Sequence, residues 1–190
     1  MGIPIGEQGG SSGPPSIKLK TINDYVDFML IDERKVPAYI YGTREQDQTQ
    51  SGKPKTQDRL TVLALRGNAV INVDGTERLV EEGDVCSIYC EGQTRWDPDL
   101  DKLRAPGDFK SWSSAKEDHG PLEVGDVGRW KFDSEIQGKG AQPRKVRIFK
   151  LRRAKPDEAQ FVARCAELHR QGVAITIGGG DNAHQDDAPF

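Results

Sequence analysis

The 190-residue chain has no apolar run near the roughly 20 residues that a membrane-spanning helix requires, and its mean hydropathy is -0.68. The amino end, residues 1–16, is rich in Gly, Ser and Pro and lacks a charged segment followed by an apolar one, so no signal peptide is read there and a cytoplasmic protein is expected. Cysteine is scarce. Cys86, Cys90 and Cys165 are odd in number and include no CxxC, which excludes a disulfide framework and a zinc knuckle. Cys86 and Cys90 are an even number of residues apart in a predicted strand, and are expected as small core residues on one face. The three histidines, His119, His169 and His184, adjoin neither a cysteine nor one another. No metal site and no cofactor is expected. P-loop, nucleophile-elbow and HExxH motifs are also missing, and Asp24, Asp27 and Asp58 are read as solvated acids rather than a nuclease metal cluster. A non-enzymatic protein is the expectation.

What is present is a segregation of charge beneath a formal net charge of -3. From Pro121 to Lys155 there are ten basic residues against four acidic ones, a net of +6. After Arg170 no Lys or Arg follows, while Asp181, Asp186 and Asp187 do. A basic surface and an acidic tail therefore share one chain.

Residues 1–16 have the composition of a flexible leader. Thr21 and Asp24 resemble a capping box, and Ile22, Tyr25, Val26, Met29 and Leu30 recur at helical spacing, so a helix over 22–30 is predicted, with a strand over 26–31 as the alternative. Val36 to Tyr41 is β-branched and aromatic. The polar stretch from Arg44 to Asp58 reads as an exposed loop. Strands are predicted over 59–66, 69–73, 76–80 and 85–90, with Asp74-Gly75 as a hairpin turn. The segment 91–120 is loop-like but carries Trp96, Phe109 and Trp112. Val124-Gly125-Asp126-Val127 echoes Glu82-Gly83-Asp84-Val85, a shared turn leading into a strand. Strands over 127–133 and 145–152 follow, and Pro156, Asp157 and Glu158 open a helix whose apolar stripe runs to about Arg170.

Several short strands and few helices predict a mainly β protein, a small antiparallel barrel of OB-fold-like form, with a C-terminal helix and disordered tails. An SH3-like barrel or a jelly roll also fits the pattern. The expected organisation is a leader over 1–16, a single nucleic-acid-binding domain over 17–170 and a flexible acidic tail over 171–190.

Single strands are held by cations that follow the phosphates and by aromatic rings that stack on bases. Both residue types are interleaved here. In Arg129-Trp130-Lys131-Phe132, strand alternation places the rings on one face and the cations on the other, so Trp130 is either a stacking platform or a core residue. Arg144, Lys145, Arg147, Lys150, Arg152 and Arg153 form the most basic run and belong to the candidate nucleic-acid-binding set, with Arg144, Lys150, Arg152 and Arg153 as candidate phosphate contacts, the bland reading being a charged edge strand. Arg95 with Trp96 and Lys110 with Trp112 are further cation–aromatic pairs. Tyr39 and Tyr41 share a strand face, and Arg59 and Arg66 complete the candidate set.

The end of the chain, Gly178 to Phe190, joins a glycine linker to Asp186, Asp187, Ala188, Pro189 and Phe190. It resembles the acidic tip of bacterial and phage single-stranded-DNA-binding proteins, in which aspartates precede a final Pro-Phe. The resemblance implies a protein that coats single-stranded DNA during replication, recombination and repair and recruits partner proteins through this tip. It covers the last five residues, or about thirteen with the linker. The amino-terminal strand pattern of the cellular members is absent, and Ala188 replaces a larger apolar residue, departures that favour a phage-type relative. The competing reading is a structural or adaptor β-domain, such as a phage virion assembly component. Oligomeric state is left open, a homo-oligomer included.

Overall fold

The computed structural model describes residues 13–39, 45–90, 104–105, 107–137 and 143–172. Among the described residues eight strands and two helices follow one another: β1 (Ile17–Lys18), β2 (Tyr25–Pro37), β3 (Thr56–Gly67), β4 (Val70–Val73), β5 (Thr76–Leu79), β6 (Val85–Tyr89), α1 (Trp112–His119), β7 (Val127–Ile136), β8 (Arg144–Arg152) and α2 (Pro156–Arg170). They form a five-stranded sheet in the order β6-β3-β2-β7-β8 and a three-stranded sheet in the order β1-β4-β5, both antiparallel. The protein is mainly β, as expected. The described strands do not close into a barrel.

β2 is buried on both faces, which explains why its sequence also reads as a helix. Val26, Phe28 and Leu30 point into the main core, while Met29 and Ile31 point to the opposite face and meet α2. A strand buried on both sides loses its period of two, so its apolar run also satisfies a helical template. The helix over 22–30 is therefore overturned in favour of the strand. Thr21 and Asp24 do pair, but in a turn: the Asp24 carboxylate accepts from the Lys20 and Thr21 amides at 2.7 and 2.8 Å, and Asn23 has φ 76°.

The main core lies between the inner face of the five-stranded sheet, the three-stranded sheet and α1. Val62, Ala64, Cys86, Ile88, Cys90, Phe132 and Phe149 line it, with Ile17 and Ile71 from the smaller sheet. Cys86 and Cys90 thus share one face as expected, and burial pushes the Cys86 thiol up to about 12. α1 lies in sequence that reads as a loop. Its Trp112 and Ala115 enter the core, so the segment is held by tertiary burial more than by its own propensity.

The two turns that echo each other in sequence dock alike. The Gly83 amide donates to Ala64 O at 2.9 Å and the Gly125 amide to Leu30 O at 2.8 Å, while the Ala64 and Leu30 amides return bonds to Asp84 O and Asp126 O, each at 2.8 Å. Asp84 and Asp126 also accept, through their carboxylates, from the Glu81 and Glu123 amides. Both glycines take positive φ, 91° and 96°. A Cβ on Gly125 would also stand 2.9 Å from Ala159 Cα, so this turn is pressed against α2. The same device pins the ends of β6 and β7 to β3 and β2.

β3 continues into β4 through a bend at Gly67, where a Cβ would lie 2.3 Å from Tyr25 O. Tyr25 O accepts from both Asn68 N and Ala69 N there. At the far edge, the Ser87 amide donates to Pro15 O at 2.9 Å and Ser16 bridges Ser87 in parallel, so the chain leading into β1 lies along β6. Among the described residues, no helix is long and apolar enough to cross a membrane.

Candidate nucleic-acid interface

The cation–aromatic segments of β7 and β8 are built differently from a stacking platform. Trp130 and Phe132 lie on the inner face, 4% and 1% exposed, and Trp130 stacks on Phe149 at 5.9 Å between ring centroids. Trp112 is 1% exposed and its indole Nε1 donates to Asp58 Oδ2 at 2.8 Å. Neither indole has a face open to a base, so both tryptophans are core residues, where burial of a large ring contributes to the stability of the fold.

Six of the candidate cations are already neutralised. Arg66 and Arg129 converge on Asp27, which is fully buried between them. Lys110 pairs with Asp118, Lys131 lies 3.8 Å from Asp133, and Arg152 grips Glu158 with two bonds of 2.8 and 2.7 Å. Arg153 reaches Asp126 at 3.0 Å. Lys150 Nζ lies 5.8 Å from the Phe109 ring. Lys145 and Arg147 have no carboxylate within ion-pair distance among the described residues; they lie over the Phe132 and Trp130 rings. Arg144 belongs to β8 by its backbone. Tyr39 is 51% exposed beyond the end of β2, where it bridges Gln46. Tyr41, Arg95, Trp96, Arg144's side chain and the tip from Asp186 to Phe190 lie outside the described residues.

The acids also differ from the sequence reading. Asp24, Asp27 and Asp58 are buried rather than solvated, 8%, 0% and 7% exposed. Asp58 receives Trp112, Lys35 and Lys116. Burial alone would raise its pKa, but the bonds from Lys35 and Trp112 and the charge of Lys116 outweigh it and hold Asp58 below the usual carboxylate value. Asp27 and Asp58 are ion-pair partners, and Asp24 accepts from the Lys20 and Thr21 amides and the Thr21 hydroxyl in its turn; the described residues contain no cluster of three or more His, Cys, Asp or Glu able to hold a metal.

An open cation–aromatic arrangement does exist, on the outer face of the sheet, where sequence reading placed only Arg59. Arg34 of β2, Arg59 of β3 and Tyr89 of β6 are direct register partners and so form one row across three strands. Tyr89 is 39% exposed. Arg34 and Arg59 are direct register partners, and Asp32 pairs with Arg34. Like charges directly opposite in a sheet repel, and with Arg34 answered by Asp32 it is Arg59 that has no carboxylate within ion-pair distance among the described residues. Arg59 Nε is buried without a hydrogen-bond partner.

The row opens onto a groove of about 760 Å³ between the sheet, the chain at Gly13-Pro14 and α2. Its lining includes Arg34, Arg59, His169 and Arg170 around an apolar strip of Ile31, Val124, Ala163 and Ala166. Alternation along 85–90 places Tyr89 opposite the buried Cys86, Ile88 and Cys90, so its outward position was readable from sequence. Arg34 was hidden by the helical reading of β2, and the closeness of His169 and Arg170 depends on how α2 packs. No protein-family model matches the chain, and no curated protein or solved structure matches it.

Proposed function

We propose that this chain is a cytoplasmic single-stranded-DNA-binding protein of the bacterial or phage type, which holds DNA without strong sequence preference and without catalysis. Asp186 to Phe190 recruit replication, recombination and repair proteins. The observation that carries the reading is the row Arg34–Arg59–Tyr89, two facing guanidinium groups and an exposed ring on an open sheet face beside a cation-lined groove. Phosphates satisfy the guanidinium groups while a base stacks on Tyr89, and a flat ring accepts any base. This face replaces the β7–β8 run as the principal contact surface. The bend at Gly67 and the lie of residues 15–16 along β6 wrap both sheets around one core, which supports an OB-like scaffold.

One observation favours a second reading, a structural or adaptor β-domain: the ion pairs of Arg66, Arg129, Arg152 and Arg153 show much of the basic charge serving the fold. Fluorescence anisotropy of a labelled oligo-dT separates the two. DNA binding predicts saturable association that weakens steeply with salt and exceeds that for duplex. Absence of association in low-salt buffer leaves the adaptor reading.

A further inference from the structure

On the opposite side of the sheet from the Arg34–Arg59–Tyr89 row, two hydrogen-bond donors are buried without an acceptor, and they belong to neighbouring side chains. Trp130 Nε1 is one and Arg147 Nε is the other. Register pairs Arg147 with Phe132 and Phe149 with Trp130, which puts Arg147 on the inner face diagonal to Trp130. Its guanidinium carbon lies 6.0 Å from the Trp130 ring centroid. Lys145 Nζ lies 5.5 Å from the Phe132 ring, adding a second cation to the same patch. No carboxylate of the described residues is within ion-pair distance of either cation, whereas Arg66, Arg129, Arg152 and Arg153 all have one.

A half-buried guanidinium without an anion is costly, and a buried indole N–H without an acceptor adds to that cost. Burial with no compensating charge lowers the pKa of Arg147 from its usual value. Other buried groups of this fold are answered from within it, Trp112 by Asp58 and Asp27 by two arginines, while Arg59 Nε on the outer face is a further unanswered donor. The pair is therefore open to an acceptor that the described residues do not provide. Glu135, the register partner of Lys145, stands at a neighbouring position without reaching ion-pair distance of either cation.

We propose that Arg147, with Trp130 Nε1–H and Lys145, forms an oxyanion subsite that takes a phosphoryl group. Arg147 offers a fork of N–H donors matched to a tetrahedral oxyanion, Lys145 supplies a point charge, and the indole adds a directional donor. The subsite stands on its own donors. Its extension to a backbone phosphate of bound DNA rests on the proposed function.

The test follows the indole N–H resonance of Trp130, assigned with Trp130→Phe, in the full-length protein titrated with inorganic phosphate and separately with unlabelled oligo-dT. The expected result is a saturable shift with phosphate, and binding about tenfold or more weaker in Arg147→Met, with partial recovery in Arg147→Lys, which keeps the charge without the fork. Retained dispersion of the other indole resonances shows that the variants fold. A shift with phosphate alone, when labelled oligo-dT does not bind, supports the subsite and removes the DNA reading. Oligo-dT binding with an unmoved Trp130 resonance in both titrations overturns the subsite and leaves the DNA reading standing. A phosphate shift of equal size and midpoint in Arg147→Met also overturns it.

Discussion

Trp112 and Asp58 are separated by more than fifty positions in sequence, yet the indole N–H of one donates to the buried carboxylate of the other at 2.8 Å. The bond ties α1 to the start of β3. It gives a surface-like sequence segment a reason to be ordered, and it converts an apparent stacking residue into a core anchor.

Trp112→Phe keeps most of the ring volume and removes the donor. The expected cost is about 1–3 kcal/mol, because Asp58 then loses a partner inside the fold. Urea denaturation followed by circular dichroism measures it, and unchanged stability contradicts the anchoring role.

Asp58 and Glu158 both have pKa values below their usual range, Asp58 for the reasons given above and Glu158 chiefly through its bond from Arg152. A carboxylate depressed in the folded state binds its proton more readily when unfolded. Its stabilising contribution is complete above the unfolded pKa of about 4 and is lost as pH falls through the lower folded value. Stability should therefore decline below about pH 4, and less steeply in Asp58→Asn. Denaturation midpoints across that range, for both proteins, check the sign.

Charge reversal separates cations that serve the fold from those that serve a ligand. Arg152→Glu breaks the grip on Glu158 next to the start of α2 and should lower stability while leaving oligo-dT affinity nearly unchanged. Arg59→Glu should do the reverse, weakening all sequences alike and reducing the salt slope by about one. Equal losses of affinity in the two variants contradict the division.

Removal of Asp186 to Phe190 should leave DNA affinity unchanged or raised, since an anionic tail competes for a cationic groove. Binding to partner proteins should disappear, as a buried Phe side chain contributes about 1.5–3 kcal/mol to such a contact. Pull-down with and without the five residues reads the outcome; retained partner binding removes the tip from the account.

Much of the fold was legible because its signals are local. Asp74-Gly75 marks the β4–β5 hairpin, Pro156 and Glu158 mark the start of α2, and the twin Gly-Asp turns announced β6 and β7. β2 misled because burial on both faces erases strand alternation, and α1 because it is held by Trp112 and Asp58 from far apart in sequence. The candidate site was less legible for a related reason. Basic residues show in sequence, but whether a cation is neutralised depends on which carboxylate the fold brings to it. Asp27 takes Arg66 and Arg129 from two different strands. The row of Arg34, Arg59 and Tyr89 exists only through the register of β2, β3 and β6.

The most direct test of that row is a map of backbone amide shifts on adding oligo-dT to isotopically labelled protein. The largest changes are predicted at Arg34, Arg59 and Tyr89 and along the groove at His169 and Arg170. Saturable binding whose shifts avoid that sheet face, or no shifts at all in low-salt buffer, would contradict the account.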